Sequence, residues 1–423
     1  MTTERTQSKI KFVGLHAHSV AGSIFDALGF PQEHMDFAYQ NGMDALALTD
    51  HGNQNGLAYQ VLHAKKMKAE GKDFKPIFGC EAYFIPSVDE WKEEYDQTML
   101  DKKKARAAKK AGASGATVED EGASKGKGNS VLRRRRHLVL LVQNQKGLNN
   151  LFKLVSESYK DENFYRYPRM DYKMLKEHGE GIIASSACLG GVYAGNYWEN
   201  RDESPEAVLE AMRETTRRMV DVFGDRWHGE IQWNNVPEQH ELNKFVIQVC
   251  EEFGVKVIST ADSHYPNRDA WKDRELYKRL GWLGKGKPQW ADTESDLPIS
   301  VDEIGYELYP KNGDEMWESY KNYSQMCKTN YDDDLVLNSI EETHRIAFDR
   351  IENFLPDNTV RLPSFVVPAG NTATGALIKF SIEGLNKLGF ADNKIYLERL
   401  KHELNVIDDR GFSKYFLTMK AIV

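Results

Sequence analysis

Seven short apolar runs, each bordered by polar residues, recur along the first 264 residues of the chain. Most of them are rich in Val, Ile, Leu or Phe and are bounded by Gly or polar residues, which is typical of buried strands. In order, the runs are KFVGLHAHS, ALALTDHG, KPIFGCEAYF, HLVLLVQN, GIIASSACL, HGEIQW and VKVISTADSH.

Helix-like segments separate these runs. PQEHMDFAYQNG has a proline near its start and a glycine at its end, and QHELNKFVIQVCEEFG carries apolar residues at helical spacing up to Gly254. Strands that alternate with helices predict parallel βα units, and seven of them favour a closed barrel over an open sheet. We therefore expect an α/β fold: a distorted seven-stranded (β/α)7-type barrel, followed by a mainly helical region.

Composition narrows the class of protein. The 423 residues suffice for about two to four domains, and 40% of them are hydrophobic, which suits a sizeable core. The sequence contains no apolar stretch long enough for a bilayer and no secretory signal near its start. We expect a cytoplasmic protein with no membrane partner. Four scattered cysteines without a C-x-x-C pair argue against a disulfide framework or a zinc ribbon.

One segment breaks the alternation of strands and helices. DKKKARAAKKAGASGATVEDEGASKGKGNS consists largely of Lys, Ala, Gly, Ser and acids, which cannot bury a core. We expect a flexible basic insertion over about residues 88–136, either mobile or partly helical. The arginines that follow form either a solvated basic loop or a loop that contacts DNA phosphates; they are Arg133, Arg134, Arg135 and Arg136. A net charge of -8 does not exclude DNA binding, because phosphate attraction is local at physiological salt.

Metal-ligand residue types lie at or near the ends of most apolar runs, with Glu81 inside the third run, His137 at the start of the fourth and Asp26 in the loop after the first. Strand ends gather at one face of a barrel, and residues two apart in a strand point to the same side. The candidates are His16, His18, Asp26, His51, Glu81, His137, Cys188, Asp262 and His264. Taken singly, a histidine at a strand end is more often a hydrogen-bonded polar residue than a metal ligand, and Cys188 alone would more often be a buried apolar thiol. Their joint occurrence favours one metal cavity.

The donor types predict the metal and the chemistry. Imidazoles, carboxylates and one thiolate favour Zn²⁺, Mn²⁺ or Fe²⁺ over Ca²⁺, and nine candidates suit two or three ions. Clustered divalent ions are typical of phosphodiester or phosphomonoester hydrolysis. Asp50, next to His51, is expected to orient that histidine from behind, whereas Cys80 is expected in the core.

The segments LHAHS, TDHG, GCEAYF, HLVLL, SACLGG and ADSHY, taken together, resemble the PHP (polymerase and histidinol phosphatase) domain of the C-family, the alpha subunits of bacterial DNA polymerase III. NFYRYPRMDYKMLKEHGEGIIASSACLGG, LPSFVVPAGNT and YLERLKHELNVIDDRGFSKYFL are also similar to segments of that family. The resemblance covers nearly the whole chain except the basic insertion.

The resemblance implies how three ions share these residues. His16, His18, Glu81 and Asp262 would hold one ion; Glu81, His137 and Cys188 a second; Asp26, His51 and His264 a third. The loop that leads from His18 to Asp26 is one residue longer than in the family, and we expect Gly22 to absorb the extra residue as a bulge or tight turn.

The resemblance also implies a division of the chain. It places a PHP barrel at residues 1–275, a helical connection at 276–361 and the start of a thumb and palm region at 362–423. The chain ends on an apolar run, and we expect a truncated polypeptide whose polymerase carboxylates, with their Mg²⁺ ions, lie beyond Val423. Asp408 and Asp409 do not match that carboxylate motif.

The implied function is that of the N-terminal part of a replicative DNA polymerase, with a PHP domain that hydrolyses phosphodiesters as a 3′–5′ exonuclease. The implied partners are DNA, the remaining polymerase core in cis or in trans, and replisome subunits such as the sliding clamp. Two alternatives stay open: a catalytically silent PHP scaffold, and a free-standing PHP phosphoesterase.

Overall fold

Two compact units, Met1–Pro356 and Asp357–Val423, make up the chain. The computed structural model describes residues 5–110, 131–283 and 301–422, except 358, 360–364 and 368. Among these residues, no helix is both long and apolar enough to cross a bilayer.

The first unit is built on an eight-stranded sheet in the order β4-β5-β2-β3-β6-β7-β8, with β1 paired to β2. The strands are β1 Ala45–Leu48, β2 Lys75–Phe84, β3 Arg136–Val142, β4 Phe164–Tyr165, β5 Tyr167–Met170, β6 Ile182–Ser185, β7 Trp227–Gln232 and β8 Lys256–Thr260. The helices of this unit are α1 Pro31–Gln40, α2 Leu57–Ala69, α3 Val88–Lys110, α4 Gln145–Ser158, α5 Tyr172–His178, α6 Val192–Asn200, α7 Pro205–Phe223, α8 Pro237–Phe253, α9 Trp271–Leu283, α10 Val301–Ile304, α11 Gly313–Met326 and α12 Asp333–Arg345.

The first apolar run joins the two ends of this sheet. It forms isolated bridges in place of the expected continuous strand: Gly14 pairs with Leu46 of β1, and Ala17 pairs with Ser263 beyond β8. The amide of His18 also donates to the carbonyl of Ser263 at 2.7 Å. The predicted fold class, a distorted barrel of seven strand-like segments followed by helices, is confirmed.

The expectation that all strands are parallel is wrong for β3. This strand runs antiparallel to both of its neighbours, β2 and β6. Both faces of a barrel strand are buried, so its apolar pattern carries no signal of direction. A second departure is the small hairpin of β4 and β5, which the sequence patterns did not indicate and which turns at Arg166 with φ 60°.

The lower end of the barrel is closed by the chain that follows α12. Ile346, Ala347 and Ile351 join the cluster of small apolar side chains that fills the barrel interior. Lys75, at the start of β2, donates its buried Nζ to the carbonyls of Ala347 (2.6 Å) and Ile351 (2.5 Å). Residues from the mainly helical region therefore form part of the barrel core.

The predicted basic insertion begins as a helix, α3, whose first turns are anchored. Trp91 is buried, and its Nε1 donates to the carbonyl of Val131 at 2.8 Å. Residues 111–130 of the predicted insertion lie outside the described residues.

Three helices lie in the described part of the second unit: α13 Ala373–Lys387, α14 Lys394–Asp409 and α15 Ser413–Ile422. The turn expected at Gly411 is present, with φ 69°. Ala376, Leu377 and Leu417 form its small core.

Candidate metal centre

The nine candidate ligands lie at one end of the barrel. Four of them follow the carboxyl ends of β1, β6 and β8, namely His51, Cys188, Asp262 and His264. His137 instead lies at the beginning of β3, opposite Tyr83 of β2. Because β3 runs in the opposite direction, its first residues reach the end of the barrel where the other strands finish. The reversal of β3 therefore brings His137 to the centre.

Glu81 lies in the middle of the group. Its Oε1 is 2.9 Å from Nδ1 of His137 and 3.2 Å from Nε2 of His16. Its Oε2 is 3.6 Å from Nε2 of His18 and also contacts Nδ1 of His51. One fully buried carboxylate thus contacts four imidazoles, as a carboxylate shared between neighbouring cations would.

Asp262 and His264 enter the group from the turn after β8. Oδ1 of Asp262 is 3.2 Å from Nε2 of His16 and 3.1 Å from Nε2 of His18. The left-handed backbone of Asp262, with φ 48°, directs the chain into this turn. Nδ1 of His264 donates to the carbonyl of Asp262 at 2.7 Å, which leaves Nε2 of His264 to face the other ligands.

The loop after His18 brings Asp26 to the centre. Its Oδ2 is 3.3 Å from Nε2 of His51 and 3.8 Å from Nε2 of His264. Gly22 lies in a tight turn of this loop, where a Cβ on it would lie 2.5 Å from Cβ of Asp50. Glycine is needed there for close approach rather than for a left-handed backbone.

The thiol of Cys188 lies at the edge of the group. Its Sγ is 3.7 Å from Nδ1 of His137 and 4.0 Å from Oε1 of Glu81. Burial, reinforced by the nearby carboxylates, raises the pKa of this thiol well above its usual range. Cys188 therefore stays protonated unless a cation stabilises the thiolate.

Burial and neighbouring charges shift the pKa values of the imidazoles in different directions. Burial lowers the pKa of His16, but the carboxylates of Asp262, Glu230 and Glu81 outweigh burial and raise this pKa well above its usual range. Glu81 and Asp26 likewise overcome burial and raise the pKa of His51 to about 10. Burial dominates at His264 and lowers its pKa to about 3. Without a cation, protons on some imidazoles balance the buried carboxylates.

The donor set fits divalent ions. Six buried side-chain atoms of the group make no well-aligned hydrogen bond among the described residues, although several lie within ion-pair distance of one another: His16 Nε2, His18 Nε2, Asp26 Oδ1, His51 Nδ1, Glu81 Oε2 and Asp262 Oδ1. Imidazole and carboxylate atoms that converge in one cavity without aligned hydrogen bonds suit coordination of a shared cation. Three subsets have the separations of metal ligands: His18, His51 and His264; His16, His18 and Glu81; and His51, Glu81 and His137.

Glu230 is a residue of the centre that the sequence analysis missed. Its Oε1 accepts from Nδ1 of His16 at 2.7 Å, and the hydroxyls of Ser185 and Thr260 also donate to this carboxylate. These bonds fix the imidazole so that Nε2 faces the ligands. The only signal in the sequence is an acid in the middle of the buried run HGEIQW.

Asp50 has a different role from the expected one. Its carboxylate accepts from the amide and hydroxyl of Ser19 and from the hydroxyl of Ser23, rather than from the imidazole of His51. Ser23 Oγ in turn accepts from the amide of His51 at 3.1 Å and lies 3.2 Å from Nδ1 of His18. Asp50 therefore acts on the histidines through the loop that carries Asp26.

The arginine run lies next to the centre, in mixed surroundings. Arg134 pairs with Glu94 at 2.9 Å, and Arg136 pairs with Glu199. The guanidinium carbon of Arg135 lies 4.0 Å from the centroid of the Tyr167 ring. The run is thus partly committed to structural ion pairs.

Comparison with known proteins identifies relatives for most of the chain. The PHP domain family model matches residues 14–234. The DNA polymerase III subunit alpha of Aquifex aeolicus is 32% identical over 416 residues, which are 97% of this chain and 31% of that protein. The subunit of the same name from Borreliella burgdorferi is 28% identical over 96% of this chain and 30% of that protein. The chain thus spans about a third of the length of these curated relatives.

A solved two-domain protein from Bacteroides vulgatus, which contains a PHP-like metal-dependent phosphoesterase, has 16% sequence identity and a TM-score of 0.30. The aligned region covers 65% of this chain and 59% of the solved chain. A likeness this weak carries no argument about activity.

Proposed function

Because this chain belongs to the PHP domain family, we propose that its barrel is a metal-dependent phosphodiesterase that removes nucleotides from the 3′ end of a DNA strand. We propose further that the chain acts as the N-terminal part of a replicative DNA polymerase III alpha subunit in the cytoplasm. Its partners are then DNA, the rest of the polymerase core and replisome subunits such as the sliding clamp. The polymerase carboxylates and their Mg²⁺ ions belong to that remaining core.

The observation that carries the hydrolase proposal is the convergence of four imidazoles on the buried carboxylate of Glu81. We assign the ligand sets implied by the family resemblance to His16, His18, Glu81 and Asp262; to Glu81, His137 and Cys188; and to Asp26, His51 and His264. Divalent ions such as Zn²⁺, Mn²⁺ or Fe²⁺ in these sets would polarise a phosphate ester and lower the pKa of a water molecule.

The chain's own residues set the conditions for that chemistry. Glu230 fixes the ring of His16, and the turn at Asp262 keeps its carboxylate between His16 and His18. The accessible side of the centre is formed by Asp26 and His137, whose side chains are 37% and 18% exposed. A phosphate ester would reach the ligands from this side.

The test is metal-dependent degradation of a single-stranded oligonucleotide, comparing a 3′ label with a 5′ label. With Mn²⁺ we expect early release of the 3′ label, and loss of at least 100-fold in rate for His16→Ala and Asp262→Ala. His178→Ala, which changes a histidine at the end of α5 outside the centre, is the matched control.

Two results would decide for an alternative. Metal bound in stoichiometric amounts, with equal degradation rates for wild type and Asp262→Ala, would support the silent scaffold. Rapid hydrolysis of a small phosphate ester without any degradation of DNA would support a phosphoesterase of small substrates.

A further inference from the structure

A fixed surface of one arginine and two tyrosines borders the metal centre; we call Arg135, Tyr83 and Tyr167 the rim platform. The guanidinium carbon of Arg135 lies 4.0 Å from the ring centroid of Tyr167 and 5.6 Å from that of Tyr83. The two rings meet edge to face with their centroids 5.0 Å apart. All three side chains are half-buried, so each presents one side to solvent.

The rim platform begins where the candidate ligands end. Tyr83 lies two residues after Glu81 on β2, so both side chains point to the same face of that strand. The Tyr83 ring lies 6.1 Å from the ring of His51 and 5.6 Å from that of His137. The platform is therefore on the accessible side of the centre, next to His137.

Arg135 carries an uncompensated positive charge. Among the described residues, no carboxylate lies within ion-pair distance of it, whereas its neighbours Arg134 and Arg136 pair with Glu94 and Glu199. Its Nε is buried and has no hydrogen-bond partner in the described part of the chain. Its Nη1 donates weakly to the carbonyl of Arg133 at 3.3 Å. Arg135 thus has donors available for an anion.

A buried arginine holds the platform in place. Arg169 is fully buried and stacks on the ring of Trp91, with its guanidinium carbon 4.0 Å from the centroid. Its guanidinium donates to four backbone carbonyls, those of Leu132, Arg134, Tyr165 and Tyr167. These carbonyls belong to the two segments that carry Arg135 and Tyr167. The backbone positions of Arg135 and Tyr167 are therefore fixed before any ligand binds, which reduces the entropy lost on binding.

We propose that the rim platform binds the phosphate next to the one held at the metal centre, so that the preferred substrate is a single-stranded DNA end rather than an isolated phosphate ester. A planar guanidinium suits a phosphate because it offers parallel N–H donors, and the tyrosine rings hold its plane. The exposed ring edges can also pack against a base. This inference rests on the proposed function and specifies the substrate of the same site.

The first test measures binding without hydrolysis. The full chain is titrated with a fluorescently labelled single-stranded oligonucleotide in EDTA, and anisotropy is followed over a range of salt concentrations. Arg135→Ala should weaken binding about tenfold and reduce the slope of log K against log salt by about 1. The affinity of Arg135→Lys should lie between those of the wild type and Arg135→Ala, because lysine keeps the charge but lacks the planar donors.

Arg217→Ala is the matched control, since it removes a positive charge that lies over the ring of Phe253 and pairs with Glu210 and Glu214 on the outer face of α7. Its affinity should equal that of the wild type. An equal loss in Arg217→Ala and Arg135→Ala would show that diffuse charge accounts for binding, and would overturn the proposal. Wild-type affinity in Arg135→Lys and Arg135→Ala alike would overturn it too.

A second measurement separates this inference from the hydrolase proposal. With Mn²⁺ present, rates are compared on an oligonucleotide and on bis(p-nitrophenyl) phosphate. If the wild type hydrolyses neither substrate while Arg135→Ala still loses DNA affinity, the hydrolase proposal fails and the platform stands. If Arg135→Ala slows both substrates by the same factor, Arg135 acts on the centre itself and the platform proposal fails.

Discussion

Glu230 decides which ring nitrogen of His16 faces the other ligands. Its carboxylate occupies Nδ1 of that histidine, and it is itself held by Ser185, Thr260 and Gln232. A ligand that is fixed from behind in this way loses less entropy when it binds a cation. The metal affinity of the centre therefore depends on a residue that does not itself face the cavity.

Glu230→Gln tests this dependence, since it keeps the shape of the side chain but removes its charge. We expect metal affinity to fall about 10- to 100-fold, with the fold retained. Competition with a fluorescent chelator and metal analysis measure the affinity. Glu238→Gln, in the first turn of α8, is the control; equal affinities for the two variants would contradict the prediction.

The ionisation of His228, which is not a candidate ligand, makes the free energy of unfolding depend on pH. Burial, with the nearby charge of Arg350, lowers its pKa to about 4, against about 6.5 in an unfolded chain. The surrounding charged groups also include Glu342 and Lys256. Between pH 6.5 and 4 the unfolded chain takes up a proton that folded His228 does not, so this group destabilises the fold as pH falls.

The expected size of this effect is about 3 kcal/mol, accumulated from pH 6.5 down to pH 4. Urea unfolding in EDTA, at pH 7.5 and at pH 4.5, compares the wild type with His228→Gln. The wild type should lose more free energy of unfolding than the variant over this interval. Identical losses in the two proteins would show that His228 titrates normally in the folded state.

At the residue scale, the ends of the apolar runs marked most of the candidate ligands, because an imidazole or carboxylate beside an apolar run stands out, whereas Glu81 lies inside its run and Asp26 in a loop. All nine candidates meet at one end of the barrel, Asp26 among them. Glu230 and the actual contacts of Asp50 could not be found this way. Each depends on which side chains meet across neighbouring segments, and a single sequence does not contain that information.

At the scale of elements, the direction of β3 matters most. Six of the seven apolar runs became strands, so their positions were readable from the sequence. The antiparallel course of β3, the bridges of the first run and the hairpin of β4 and β5 were not. Direction and pairing are set by the connections and by the closure of the ring, which leave no local pattern.

The segment between α3 and β3 provides a test at this scale. Replacing residues 111–130 with a short Gly-Ser linker should leave the free energy of unfolding unchanged, because its composition cannot bury apolar area. Trp91→Ala should instead cost about 3–5 kcal/mol, since it empties a buried site and leaves the carbonyl of Val131 unpaired. Denaturant unfolding followed by circular dichroism measures both; a deletion as costly as Trp91→Ala would contradict this prediction.

For the whole molecule, the candidate metal centre lies at one end of a barrel whose other end is closed by Ile346, Ala347 and Ile351. The ligands come from both the beginning and the end of the barrel sequence, so bound ions would crosslink the closed ring. Metal binding and global stability are therefore thermodynamically linked.

Removing metal should accordingly lower the thermal unfolding midpoint. At a free metal concentration 100-fold above the dissociation constant, binding adds about 2.7 kcal/mol to the free energy of unfolding. Differential scanning calorimetry with and without EDTA tests this in the wild type and in Asp262→Ala. The chelator should have a much smaller effect on the variant, and equal shifts would exclude the link.

The bridge between Ala17 and Ser263 also sets an order of events during biosynthesis. His16 and His18 leave the ribosome early, yet Asp262 and His264 emerge only after the whole barrel sequence. A nascent chain shorter than this can present fragments of the cavity but never the complete set of donors. Binding of an ion to the full donor set would therefore be a late step of maturation, and the nearly finished barrel rather than the emerging chain would select that ion.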